Sequence, residues 1–224
     1  MKRLSIVEIP SIAGKAYLVG GEEESILVDT LFPGSGKRIV KFLSKKGIDL
    51  HKIKLILITH GHIDHYGSAL ELKGKIEAPI AIHELDAEGP RKGINVHIYP
   101  RSLLQKILNL YVSRQRTQPF EPDVLLKGEE GDFKDYGIEA KWIRTPGHTQ
   151  GSISVVLPGE AAIVGDLITG KFGFLKKTAY PLWVEDGQQL GESVKKLLDC
   201  WPKIFFAGHG GPFNPEEVKR VFLK

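Results

Sequence analysis

Cysteine is almost absent from this chain. Cys200 is the single example among 224 residues, which excludes an internal disulfide and fits a reducing compartment. No uninterrupted apolar run is long enough to span a bilayer. The opening MKRLSIVEIP has the basic residues of a signal peptide, but Glu8 and Pro10 leave it no apolar h-region. The expected location is therefore the cytoplasm, with no membrane partner. No low-complexity or Gly/Ser-rich linker interrupts the sequence, so one domain over 1–224 is expected, with a variable middle segment at 89–128. Clustered Lys and Arg interleaved with aromatics, the mark of a phosphate-binding domain, are also missing. The net charge of +4 is spread along the chain, and a solvated surface explains the locally basic stretch from Arg91 to Arg116. A small-molecule substrate is expected rather than nucleic acid. Asn and Met are scarce while Lys and Glu are plentiful, a bias shared with proteins from hot environments.

What is present is a regular alternation of apolar runs and turn signals. LSIVEI, AYLVGG and SILVDT, with Gly20–Gly21 between the last two, predict an antiparallel meander. Apolar residues Ile39, Val40, Phe42 and Leu43 predict a helix over 35–46 with Gly47 near its C-cap. KLILI then reads as a strand buried on both faces. Strands are expected again at DVLLK, GIEAKWIR, SISVVL, AAIVG and KIFFA, with a helix over 186–198 and another after Pro215. This pattern predicts a layered α/β protein with two sheets inside. Within 89–128, Leu103, Leu104, Ile107, Leu108, Tyr111 and Val112 share one helical face. Packing on the protein's own core is the expected role of that face, with a lid, a homodimer contact and a membrane-surface element as alternatives.

The chemistry concentrates in Thr59-His60-Gly61-His62-Ile63-Asp64-His65, directly after KLILI. Three of the eight histidines fall within six residues here, and imidazole with carboxylate suits a divalent transition metal. The segment is expected to leave the strand as a tight loop. Its spacing lets His60 and His62 point one way while Asp64 and His65 reach another. Three further strands end in a ligand-type residue preceded by glycine: WIRTPGH in His148, AAIVGD in Asp166, KIFFAGHG in His209. Loops at strand ends of α/β sheets converge on shared sites, so four such ends predict one centre. Without a cation, burying so many imidazoles and carboxylates would be costly. His51 is expected at the surface, His83 in a surface or capping role and His97 in no assignable one. Trp183 and Phe172 are candidates to line a pocket, with ordinary packing as the alternative.

These motifs resemble the metallo-β-lactamase superfamily, and within it the glyoxalase II-like branch. His60-x-His62-x-Asp64-His65 matches its HxHxDH motif, Thr145 to Ser152 its TPGHTxGS segment, and Gly165-Asp166 and Gly208-His209 its last two motifs. The LVDT ending in Asp29-Thr30 resembles its first. The resemblance implies a four-layer αββα sandwich with two metal ions at one edge. By position, His60, His62 and His148 would hold the first ion, and Asp64, His65 and His209 the second. Asp166 would bridge the two, and Asp29 would hydrogen-bond the ligand loop. Zinc suits these ligands, and iron or manganese would also bind.

The implied activity is hydrolysis by a hydroxide shared between the ions, since metal binding lowers the pKa of water from 15.7 to about 7. Asp64 would be a ligand that also orients this nucleophile. A small ester, thioester, lactone or phosphodiester is the expected substrate. The bridging Asp166 separates the chain from the resembled antibiotic-hydrolysing members. Only about a dozen residues follow GHGGP, which speaks against the C-terminal glutathione grip of glyoxalase II. Two alternatives stand beside this reading. One is a mononuclear iron persulfide dioxygenase using His60, His148 and Asp166; the other is a metal-binding protein without catalysis.

Overall fold

A computed structural model of the chain describes all residues except 1–3, 13, 22, 97–99, 101, 102, 174 and 224. His97 lies outside the described residues.

The first half of the chain builds one six-stranded sheet. Strands β1 (Ser5–Pro10), β2 (Lys15–Gly20) and β3 (Ser25–Val28) form an antiparallel meander. Helix α1 (Gly36–Lys45) then crosses to β4 (Ile53–Leu57), which pairs parallel with β3. A single helical turn, α2 (Ile63–Tyr66), and helix α3 (Ala69–Ile76) lead to β5 (Ile80–His83), again parallel. After α4 (Glu88–Lys92) and α5 (Leu103–Val112), β6 (Val124–Leu126) completes the sheet beside β5.

The second half builds a five-stranded sheet from β7 (Glu130–Phe133), β8 (Ile138–Arg144), β9 (Ile153–Leu157) and β10 (Ala161–Ile163), all antiparallel neighbours. A small hairpin, β11 (Thr169–Gly170) and β12 (Thr178–Ala179), comes next, then α6 (Gly187–Leu198). Strand β13 (Ile204–Phe206) joins β10 in parallel, and α7 (Pro215–Phe222) closes the described chain. Asp186 caps α6 by accepting from the N–H groups of Gln188 and Gln189, and Asn214 caps α7 ahead of Pro215.

Side-chain alternation stacks these elements into four layers. Val19, Ile26, Val28, Leu55 and Leu57 face Ile138, Trp142, Val155 and Ile163 between the sheets. The opposite faces of the first sheet, with Leu27, Ile56 and Ile82, are covered by Ile39 and Leu43 of α1 and Leu72 and Ile76 of α3. Ile143, Val156 and Ala162 on the outside of the second sheet meet Leu190, Val194 and Leu197 of α6 and Val218 and Phe222 of α7. The result is the αββα sandwich. Lys54 near the start of strand β4 is exposed. From Leu55 onward the strand is buried on both sides, because it lies inside the first layer pair and the second at once. Each such side chain contributes about 1.5–3 kcal/mol by leaving water.

The expectation of core packing for α5 does not hold. Leu103 is 75% exposed, Ile107 56% and Tyr111 66%. The outer faces of both sheets are already covered by α1, α3, α6 and α7, so no core surface is left for it. Polar contacts hold it instead. The Gln105 amide donates to the Leu182 carbonyl, and Asn95 Nδ2 donates to the Val112 carbonyl at 2.9 Å. Among the described residues no helix is long and apolar enough to cross a membrane.

Candidate metal centre

Strand ends from both sheets deliver the polar residues to one place. Asp29 follows β3, the HGHIDH segment follows β4, His148 follows β8, Asp166 follows β10 and His209 follows β13. The HGHIDH segment is not wholly a loop. His62 is extended, and Asp64 and His65 belong to the helical turn α2, whose i to i+3 hydrogen bond runs from His65 N–H to the His62 carbonyl at 3.0 Å. That turn carries Asp64 toward His209, while the His65 ring stays 4.0 Å from that of His60.

Three ring nitrogens form a near-equilateral triangle. His60 Nε2 lies 3.1 Å from His62 Nδ1, His148 Nε2 lies 3.2 Å from His60 Nε2, and His148 Nε2 lies 3.0 Å from His62 Nδ1. Nitrogens bound at 2.0–2.1 Å around a tetrahedral ion are separated by about 3.3–3.4 Å, so the triangle has the size of a metal face. Beside it, Asp64 Oδ2 lies 3.1 Å from His209 Nε2 and 3.9 Å from His65 Nε2. Asp166 reaches both groups: its Oδ1 lies 3.4 Å from His65 Nε2, and its Oδ2 lies 3.4 Å from His209 Nε2 and 3.9 Å from His148 Nε2.

Hydrogen bonds behind the rings decide which nitrogen is bare. His148 Nδ1 donates to the Trp183 carbonyl at 2.7 Å, leaving Nε2 as a lone pair. The Thr59 hydroxyl donates to Asp29 Oδ2 at 2.9 Å, so at 3.1 Å its oxygen accepts from His60 Nδ1. Asp29 Oδ2 also accepts from His65 Nδ1 at 2.8 Å, and Asp29 Oδ1 from Thr59 N–H at 2.8 Å. Asp29 itself adopts φ +63°, a conformation that turns its carboxylate back under the ligand loop. His60 and His148 thus present bare Nε2 atoms to the site, and His65 turns its Nε2 toward it with Nδ1 held by Asp29. His65 Nε2 and Asp166 Oδ1 are both buried without a hydrogen-bond partner, which an apolar core would not tolerate.

Electrostatics agree with a cation site. Burial, reinforced by neighbouring imidazoles, pushes His60 down, takes His62 to about 3 and lowers His148. Burial alone would raise the two carboxyls, but His65 and His209 outweigh it and hold Asp64 at about 2, and His209 and His65 keep Asp166 lower still. Burial opposes protonation of His65 and His209, yet Asp29 and Asp166 raise the first, and Asp166 and Asp64 the second. A divalent ion requires neutral imidazoles and ionised carboxylates, the forms favoured at His60, His62, His148, Asp64 and Asp166. His65 and His209 are instead held toward their protonated forms by the carboxylates and would give up a proton to an ion. Gly208 permits the crowding, because a Cβ there would stand 2.5 Å from both Asp166 Oδ1 and His65 Cε1.

The remaining sequence candidates fall outside the cluster. His51 is exposed. His83 is buried rather than superficial, accepting from Leu85 N–H at 3.4 Å as a cap and meeting the Gly128 carbonyl at 3.1 Å. Phe172 is 73% exposed, whereas Trp183 is half-buried and contributes its carbonyl to His148. Sequence reading missed Asp86, fully buried behind the ligand loops. The available signal was its position just past β5, the same strand-end placement that marks the ligands.

A family model described as the metallo-beta-lactamase superfamily matches residues 12–209. The chain is 28% identical over 211 residues to the Probable metallo-hydrolase YflN of Bacillus subtilis, covering 87% of this chain and 78% of that one. It is 25% identical over 228 residues to Hydroxyacylglutathione hydrolase GloC of Haemophilus influenzae, covering 97% and 95%. Among solved structures, TTHA1623 in a di-iron-bound form shares the fold with a TM-score of 0.70 at 20% identity, over 97% of this chain and 98% of that one.

Proposed function

Since this chain belongs to the metallo-β-lactamase superfamily, we propose that it is a metal-dependent hydrolase working with two divalent ions, zinc first among the candidates. His60, His62 and His148 hold one ion, Asp64, His65 and His209 the other, and Asp166 lies between them. The observation that carries this reading is the pair of donor triads sharing one edge of the sandwich, with ring nitrogens 3.0–3.2 Å apart in the first. Ions held there supply a water-derived nucleophile at neutral pH, with a pKa near 7 in place of 15.7, and polarise the bond to be cleaved.

The protein's own groups prepare that chemistry. Trp183, Thr59 and Asp29 fix three ring orientations by accepting their Nδ1 protons. Asp64, ionised and partly open to solvent, would be a ligand that also orients the nucleophile. The substrate is a small ester, thioester, lactone or phosphodiester. Likeness to a hydroxyacylglutathione hydrolase across 95% of that enzyme supports the thioester among these. The reading extends to one domain over 1–224 acting on small molecules in the cytoplasm, supported by the lone Cys200 and the modest net charge.

Elemental analysis of protein purified without chelator or added metal tests it, followed by a screen of the four substrate classes. Two ions per chain with hydrolysis in one class is the expected outcome. One iron per chain, a second site that refuses zinc, and oxygen consumption with persulfides would replace it with the mononuclear dioxygenase.

A further inference from the structure

The first metal triangle is assembled from two loops that are distant in sequence: His60 and His62 on one, His148 on the other. Between these loops sits Asp86, at the end of the chain segment that leaves β5. It is 1% exposed, and among the described residues no cationic side chain pairs with it. Its Oδ2 accepts from Gly61 N–H at 2.7 Å and from the Thr149 hydroxyl at 2.6 Å. Its Oδ1 accepts from Gly151 N–H at 2.8 Å. Gly61 separates His60 from His62, and Thr149 follows His148, so one carboxylate grips both loops immediately beside their ligands.

The fit is close on every side. A Cβ on Gly151 would stand 2.5 Å from Asp86 Oδ1, and one on Gly61 would stand 2.7 Å from the Asp86 carbonyl oxygen. Ser152 supports the grip: its hydroxyl meets the Thr149 oxygen at 2.7 Å, and its oxygen accepts from Thr149 N–H at 3.2 Å. On the strand side the two loops share a backbone bond, from Ile153 N–H to the Thr59 carbonyl at 2.9 Å. No group of the second triad, Asp64, His65 or His209, makes a hydrogen bond or ion pair with Asp86 among the described residues.

We propose that Asp86 is a positioning residue that sets the spacing between the two loops and so governs metal affinity at the His60/His62/His148 site, and at that site alone. This rests on the reading of the centre as a two-ion site. Only a carboxylate satisfies the arrangement, because donors approach both of its oxygens. An asparagine has one acceptor oxygen and must aim its amide N–H groups at either Gly151 N–H or Gly61 N–H, forcing a loop away.

The test places Asp86→Asn in two single-site backgrounds, His209→Ala retaining the first site and His62→Ala retaining the second. Zinc dissociation constants are measured by competition with a chromophoric chelator. The expected result is weakening of about 10–100-fold in the His209→Ala background and a change within about twofold in the His62→Ala background. Gly151→Ala, which keeps the carboxylate but displaces it, gives the same asymmetry and serves where the Asn variant fails to fold. Equal weakening in both backgrounds, or none in either, overturns the proposal. An unmutated chain that takes up neither zinc, iron nor manganese overturns the metal-centre reading and this inference together. An unmutated chain that binds two ions without the asymmetry overturns the role of Asp86 alone.

Discussion

Replacing Asp29 by asparagine preserves shape and takes one acceptor away from a crowded set of hydrogen bonds. Three donors converge on the carboxylate: Thr59 N–H on Oδ1, and the Thr59 hydroxyl and His65 Nδ1–H on Oδ2. If the asparagine oxygen stays with Thr59 N–H, its amide nitrogen faces His65 Nδ1. That ring must then accept, moving its proton to Nε2, the atom that looks toward Asp64 and Asp166. If the amide turns over instead, a donor meets Thr59 N–H and the ligand loop shifts. Either way one buried charge-assisted hydrogen bond is lost, worth about 1.5–3 kcal/mol. At 1.4 kcal/mol per tenfold, affinity at the second site should fall roughly 10- to 150-fold. Chelator competition on Asp29→Asn would read this as one tight and one weakened ion per chain. Two ions held as tightly as in the unmutated chain would refute the tautomer argument.

Asp166→Ala should abolish hydrolysis and reduce metal content while the far-ultraviolet circular dichroism stays that of the folded chain, because it removes a donor shared by both triads without touching the three apolar layers; full activity in this variant would rule out the centre. On α5, Ile107→Ser should change stability by no more than about 0.5 kcal/mol, as for an exposed site, and a melting temperature lowered by many degrees would mean the helix is covered. Burial alone would raise the Asp123 carboxyl, but the Lys73 ammonium and Ile80 N–H hold it below its ordinary value. A depressed carboxyl contributes stability above its unfolded pKa and loses it as pH falls through the folded one. Asp123→Asn should therefore lower the urea midpoint at pH 7, with the difference from the unmutated chain vanishing well below pH 4, about the unfolded value; a constant difference across this range would contradict the assignment.

The layers were legible because burial leaves a period in the sequence. Ile26, Leu27 and Val28 are apolar in succession since each faces a covered side, and the α1 face of Ile39 and Leu43 repeats every four residues. The clustering of these histidines and aspartates was legible because strand ends followed by histidine or aspartate occur four times over. Less could be read where the determining partner is remote. The apolar face of α5 has the periodicity of a core helix, and nothing local records that the sheet faces are already occupied. Strand β7, EGDF, and the two-residue hairpin strands carry too few apolar positions to stand out. Asp86 was overlooked because its importance lies in Gly61, Thr149 and Gly151, which its neighbours in sequence do not reveal.

The division of the donors between the sheets has a consequence for biosynthesis. The triangle takes His60 and His62 from the first half of the chain and His148 from the second; the other triad takes Asp64 and His65 from the first and His209 from the second. Each half therefore carries an unfinished clasp. On the two-ion reading proposed above, a nascent chain ending at β6 would offer an ion only an incomplete set of donors at either place. Full-strength capture would wait for His148 and, in the second place, for His209 after the last strand. Loading would then follow closure of the two sheets on each other, and a bound ion would in turn stabilise that closure.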